Sequence, residues 1–144
     1  MNKDLVAKAT ISIKAPKDKI WRALVTPAAI KQYMFGTDVE SDWHEGSSIT
    51  WKGEFNDKKY KDQGVILQIE PEKTLQYSHF SSLSGKPDQP ENYHTVTISL
   101  SGTGQTTTVS LTQDKNEDED ARKESAKNWG VMLDGLKKYV EQPS

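Results

Sequence analysis

Residues 118–140 read DEDARKESAKNWGVMLDGLKKYV and carry the longest helical pattern in the chain. Apolar side chains recur there at spacings of four, three and four, which places them on one helical face. The first turn is acidic and the last turn carries Lys137 and Lys138, a charge order that suits the helix dipole. We therefore predict one long amphipathic helix that needs a second layer to cover its apolar face. The residues of that face are Trp129, Leu133, Leu136 and Val140.

The residues before this helix alternate apolar and polar side chains in short segments, which is the pattern of half-buried strands. On the fourth of these segments, Val65, Leu67 and Ile69 are expected to face inward, with Gly64 as a β-bulge. A meander of such strands has one apolar face, and the long helix is expected to cover it. The predicted strands are residues 5–13, 39–43, 49–55, 60–69, 74–80, 94–100 and 106–113.

Two short helices are predicted between the first two strands. Pro16 suits the first turn of one, which is expected to run to Val25. Thr26 before Pro27 is a start signal for the second, and Gly36 ends it. The element order predicts a single α+β domain over residues 1–144. Its antiparallel sheet of six to seven strands must curve around the long C-terminal helix.

Composition excludes several classes of function. The chain has 144 residues and a formal net charge of −2, so it lacks the basic excess of nucleic-acid binders. It contains no cysteine, which excludes disulfides, thiolate metal sites and cysteine nucleophiles. No signal peptide and no membrane-inserting segment are recognisable. We expect a cytoplasmic monomer.

Local segments spread over nearly the whole chain carry a resemblance to a known family. They are Ala15-Pro16 with residues 20–27 (IWRALVTP), Trp43 with Glu45-Gly46, residues 64–67 (GVIL) with 69–71 (IEP), residues 75–77 (LQY), and Trp129, Met132-Leu133, Leu136-Lys137 and Tyr139. Together they resemble the START-like (SRPBCC) superfamily, closest to the branch named for the C-terminal domain of the activator of heat-shock-protein-90 ATPase. The resemblance implies a helix-grip (START/Bet v-like) fold with a cavity between the sheet and the long helix. Members are carriers, cyclases, toxin–antitoxin components and co-chaperones, so the fold alone does not set the function.

Aromatic side chains are the main candidates for a binding site. They can fill the space between helix and sheet as core, or line an apolar cavity that keeps a few polar groups. We predict non-enzymatic binding of a hydrophobic or aromatic small molecule, lipid-like or polyketide-like, with residues 81–91 and 27–34 at the mouth. The expected ligand-binding residues are Tyr33, Trp43, Trp51, Leu67, Tyr77, His79, Phe80, Trp129, Met132, Leu133 and Leu136.

Two glycines inside the predicted long helix bear on the same question. Gly130 and Gly135 each cost about 1 kcal/mol relative to alanine in a helix interior. Such positions indicate either close packing of the helix backbone or room for a guest molecule.

Two other functions stay open. One is a co-chaperone-like interaction module, which would use the outer face of the sheet or the acidic segment 114–120 to bind a chaperone partner. The other is a cyclase or hydratase with His79 and Tyr77 as an acid–base pair. The three histidines, His44, His79 and His94, lack metal-ligand spacing. No catalytic residue, metal or cofactor is assigned.

Overall fold

The structure is a computed structural model that describes residues 5–34, 36–55, 57–82 and 85–142, and for Phe55 the backbone only. The strands are β1 (Leu5–Ile13), β2 (Asp38–Ser41), β3 (Ser48–Phe55), β4 (Lys58–Glu70), β5 (Thr74–His79), β6 (His94–Ser101) and β7 (Thr107–Asn116). The α-helices are α1 (Lys17–Leu24), α2 (Pro27–Tyr33) and α3 (Glu119–Glu141), and Pro90–Asn92 forms a 3-10 turn.

The strands make one antiparallel sheet in the order β1-β7-β6-β5-β4-β3-β2. The helix α3 packs on β1 and β7 at one side of this sheet and also contacts α1 and α2. The predicted α+β helix-grip fold, with two short helices after the first strand, is confirmed. No helix within the described ranges has the length and apolar character needed to cross a membrane.

The long C-terminal helix α3 begins at the acidic residues that its sequence predicts, and it buries most of the predicted apolar face. Asp118 is the N-cap, and its Oδ1 accepts a hydrogen bond of 2.8 Å from the backbone N–H of Ala121. Leu133, Leu136 and Val140 are buried, together with Met132. They meet a sheet face that contributes Ile13, Val109 and Leu111, all fully buried. The predicted face is thus the one that holds the layers together.

The predicted orientation of β4 is wrong for Val65 and Leu67. These side chains are 39% and 43% exposed on the outer face, whereas Ile66 between them is fully buried. The register with β5 shifts between Ile66 and Gln68, so a bulge occurs there. Two consecutive residues, Leu67 and Gln68, therefore lie outside before Ile69 returns to the core side.

Gly64 is not the site of that bulge, and its role is close packing. A Cβ atom added at Gly64 would lie 1.8 Å from the backbone oxygen of Ser78 on β5. Only glycine lets the backbones of β4 and β5 come this close.

The two glycines of α3 have different surroundings. A Cβ at Gly135 would lie 3.3 Å from the backbone oxygen of Tyr33, so this glycine lets α3 approach α2. A Cβ at Gly130 would meet no atom within 4 Å among the described residues. Close approach thus explains Gly135, and packing does not explain Gly130.

The second strand is shorter than predicted. It ends at Ser41, and Trp43 lies beyond it with a left-handed backbone (φ 57°). The side-chain oxygen of Ser41 accepts a hydrogen bond of 3.0 Å from the Trp43 N–H. Trp43 therefore turns the chain toward β3 instead of extending the alternation of β2.

Candidate functional site

A cleft of about 700 Å³ lies between α3 and strands β3, β4 and β5. Its volume falls within the range of about 300–1,000 Å³ that is typical of ligand sites. The sheet contributes Trp51, Glu54, Tyr60, Asp62, Tyr77 and His79, and the loops add Met34, Thr37 and Ser81. The helix α3 contributes Glu124, Asn128, Trp129 and Val131.

Three rings form an aromatic wall at the sheet side of this cleft. The Trp51 ring centroid lies 5.1 Å from that of Tyr77 at an interplanar angle of 47°. It lies 4.9 Å from the imidazole of His79, which approaches edge-on at 73°. Tyr77 and His79 share a face because they are two residues apart on β5. These tilted arrangements are the favourable geometries for aromatic pairs.

Trp129 closes the helix side of the cleft. Its indole Nε1 donates a hydrogen bond of 2.5 Å to Oε1 of Gln113 on β7. The bond fixes the orientation of the ring and leaves it half-buried at the edge of the apolar face of α3. A rigid ring in this position can stack on a flat ligand.

His79 and Asp62 form a polar pair at the same wall. Nε2 of His79 donates to Oδ2 of Asp62 over 3.0 Å, and Oδ1 of Asp62 accepts from the backbone and hydroxyl of Ser82 at 2.9 and 3.1 Å. Burial raises the pKa of Asp62, but the hydrogen bonds from His79 and Ser82 outweigh it and lower the pKa below its ordinary value. An aspartate that orients a histidine in this way can support proton transfer.

The hydroxyl of Tyr77 is the free polar group of the wall. No described residue exchanges a hydrogen bond with it. Every fully buried polar side-chain atom of the described residues has a hydrogen-bond partner, so the Tyr77 oxygen is not fully buried. The Tyr77 side chain lines both the cleft and a small inner cavity beside it. Burial of the ring raises the pKa of Tyr77, which keeps the hydroxyl neutral. It can exchange a hydrogen bond with a bound molecule.

A pair of hydroxyl groups also lies among the lining residues. The hydroxyls of Thr37 and Tyr60 are 2.7 Å apart and hydrogen-bonded to each other. The Tyr60 ring lies against Gly53, where a Cβ would meet the Tyr60 oxygen at 2.4 Å in this conformation. Gly53 thus leaves space for the Tyr60 side chain over the inner face of β3.

The predicted ligand-binding residues fall into separate groups. Trp51, Tyr77, His79 and Trp129 line the cleft. Tyr33, Trp43 and Met132 line an adjoining inner cavity of about 20 Å³, which is room for about one water molecule, and Trp51 and Tyr77 line both spaces. Leu133 and Leu136 lie in the core and line neither of these two spaces.

Two predicted site residues lie away from the cleft. Leu67 is on the outer face of β4, as its changed orientation requires. Phe80 is buried but stacks on Tyr93 at a ring distance of 5.3 Å and an angle of 29°. The sequence placed Leu67 on the inner face because it did not reveal the bulge in β4, and Phe80, predicted as part of the fifth strand, lies just beyond the end of β5 at His79.

Several lining residues escaped the sequence analysis. Tyr60 and Asp62 lie on the same face of β4 as Gly64 and Ile66, because the four positions are two residues apart. Choosing Ile66 as the inward residue of β4 would therefore have identified both as lining residues. Glu124, Asn128 and Val131 follow each other at helical spacing beside Trp129. Their polar or exposed character made them look like a solvated face.

The histidines do not converge on a metal. His79 and His94 face each other across β5 and β6, but Nδ1 of His94 bonds to the backbone oxygen of Asp114 at 2.9 Å. Within the described ranges, no three His, Asp or Glu side chains are placed to hold a metal ion.

The family follows from the sequence profile of the Activator of Hsp90 ATPase homolog 1-like proteins, which matches residues 14–141. The chain belongs to this family. The match confirms the predicted resemblance. None of the curated proteins matches the chain.

Solved structures of other proteins show the same fold. ChR145 from Cytophaga hutchinsonii is 55% identical, with a TM-score of 0.86 over 98% of this chain and 97% of its own. The Aha1 dimer from Colwellia psychrerythraea is 25% identical, with a TM-score of 0.73 over 94% and 96%. CalU16 from Micromonospora echinospora is 22% identical, with a TM-score of 0.72 over 97% and 87%.

Proposed function

We propose that this protein binds a hydrophobic or aromatic small molecule, lipid-like or polyketide-like, in the cleft beneath α3. The observation that carries the proposal is the cleft of about 700 Å³, walled by Trp51, Tyr77 and Trp129. Rigid rings on opposite sides of an open space favour a flat apolar guest. Membership in the family is compatible with this role.

Apolar burial would supply the affinity. A two-ring ligand that buries about 200 Å² of apolar surface would gain about 5 kcal/mol at ~25 cal/mol per Å². Lost translational and rotational freedom offsets much of this gain. We therefore expect dissociation constants in the millimolar range for simple probes, no tighter than about 0.2 mM.

Nuclear magnetic resonance titration tests the proposal directly. Laurate, 2-naphthalenemethanol and a flavonoid would be added to labelled protein, and at least one should shift the signals of Tyr77, His79 and the Trp129 indole. Asn128→Trp places a bulky side chain at the exposed rim and should weaken binding at least fivefold. Lys127→Trp changes the neighbouring exposed residue, which does not line the cleft, and should leave binding unchanged. If no probe moves these signals, the proposal fails.

A co-chaperone-like interaction is the second candidate, favoured by the family and by the 25% identity to the Colwellia Aha1. Its surface would be the outer face of β4, where Val65 and Leu67 are exposed two residues apart. The double variant Val65→Ser, Leu67→Ser should then abolish stimulation of a heat-shock-protein-90-type ATPase, and Asn128→Trp should not. The Colwellia protein is described as a dimer, whereas we expect a monomer, and light scattering on the purified chain separates the two.

The cyclase or hydratase alternative gains one observation, the Asp62–His79 pair beside the cleft. It differs from the predicted pairing, because the partner of His79 is Asp62 and not Tyr77. Turnover of a polyketide-like substrate that disappears in both His79→Gln and Asp62→Asn would support an enzyme.

A further inference from the structure

Most of the side chains that line the cleft and can carry a charge near neutral pH are acidic. Three lining residues carry carboxylates, Glu54, Asp62 and Glu124, and none of the described lining residues is Lys or Arg. His79 is the one lining side chain there that can become a cation, and its Nε2 is already committed to Asp62. A ligand carboxylate entering the cleft would therefore meet like charges and no free cationic partner.

We infer that the cleft accepts aromatic ligands that carry a neutral or cationic hydrogen-bond donor and discriminates against aromatic carboxylates. This inference rests on the proposed function and adds a chemical class to it. The juxtaposition behind it is that of the Trp51 and Trp129 rings with hydrogen-bond acceptors that also line the cleft.

The acceptors follow from the hydrogen bonds already made. With Nε2–H of His79 donating to Asp62, the neutral imidazole has its lone pair on Nδ1. Glu124 takes part in no ion pair among the described residues, and so its carboxylate is available. The hydroxyl of Tyr77, which has no described partner, can accept as well as donate. At Nδ1 of His79 and at Glu124, a phenol, alcohol or amine thus finds acceptors that a carboxylate cannot use.

The aromatic rings act in the same direction. The faces of indole rings attract cations by about 0.5–1 kcal/mol at exposed sites, and their negative charge disfavours anions. Burying an anion without a partner is costly, and the cost grows as water is excluded. A carboxylate ligand would therefore keep its charged end in water and lose part of its contact with the wall.

Three probes with one ring system test the inference. They are 2-naphthalenemethanol, 2-naphthylmethylammonium and 2-naphthoate, titrated at pH 7.5 and followed by the Trp129 indole signal. We expect the alcohol and the ammonium to bind at least tenfold more tightly than naphthoate. Glu124→Lys should raise the affinity for naphthoate at least threefold and lower that for the ammonium. Glu40→Lys, an exposed position outside the cleft with the same charge change, should alter neither.

Each result decides the matter. Equal or tighter binding of naphthoate overturns the inference and leaves the proposed function intact, because a ligand still binds. Equal effects of Glu124→Lys and Glu40→Lys, or no effect of either, also overturn it, since the cleft carboxylate would then have no local role. If none of the three probes binds, both the inference and the proposed function fall.

Discussion

His79 and Asp62 are joined side chain to side chain across β5 and β4, with 3.0 Å between Nε2 and Oδ2. Gln63, which follows Asp62, pairs with Phe80, which follows His79. This backbone pairing brings the Asp62 and His79 side chains close to each other. Ser82 binds the second oxygen of the same carboxylate and ties the start of the following loop to β4. One carboxylate therefore orients the imidazole and anchors the rim of the cleft.

Asp62→Asn should destabilise the protein in a pH-dependent way. The folded-state pKa of Asp62 is lowered, so its contribution is complete above about pH 5 and is lost as the pH falls through the folded value. We expect the variant to lose about 1–2 kcal/mol of unfolding free energy at pH 7 and clearly less at pH 3. Urea denaturation at both pH values measures this difference.

Asp42→Asn, at an exposed aspartate, is the matched control for this series and should change little. A difference between wild type and Asp62→Asn that stays constant from pH 7 to pH 3 would show that the carboxylate charge is not the stabilising feature.

Gly64→Ala should be strongly destabilising. The new methyl group would lie 1.8 Å from the oxygen of Ser78, so the two strands must separate locally. We expect a loss of at least about 2 kcal/mol in unfolding free energy. Gly130→Ala is the contrast, because its methyl group meets no described atom and should stabilise α3 by about 0.5–1 kcal/mol. Thermal unfolding of the two variants should give shifts of opposite sign.

Removing the hydroxyls of two buried tyrosines should have unequal effects. The Tyr33 hydroxyl donates to the backbone oxygen of Ala23 at 2.8 Å, so Tyr33→Phe leaves a buried acceptor unpaired and should cost about 1–2 kcal/mol. The Tyr77 hydroxyl has no described partner, so Tyr77→Phe should change stability by less than about 0.5 kcal/mol. Denaturant titration compares them, and equal losses would argue against a Tyr77 hydroxyl without a hydrogen-bond partner.

Truncation of neighbouring side chains on β4 should cost unequal amounts of stability. Ile66 is fully buried, and Ile66→Ala should cost about 2–4 kcal/mol. Leu67 is exposed on the outer face, and Leu67→Ala should cost less than about 1 kcal/mol. The midpoints of urea unfolding report the difference. A larger loss at Leu67 would restore the orientation that the sequence alone suggested.

The order of elements and the long helix were predictable because they depend on periodicity and local chemistry. The N-cap at Asp118 and the helical spacing up to Val140 involve residues only a few positions apart in the chain. The same holds for the alternation in residues 5–13. Tyr77, His79 and Trp129 could be assigned to the inner side for the same reason, since each lies on a regular stretch of its strand or helix.

The residues that separate a cleft from a core depend on the tertiary structure. Leu67 lies outside because a bulge, set by the pairing of β4 with β5, adds one residue to the alternation. Asp62 reaches His79 only once those strands are in register, and no local pattern encodes that contact. The sequence by itself determined which faces are apolar. Strand pairing and the seating of α3 decided where those faces separate and leave the cleft, because both rest on contacts between residues far apart in the chain.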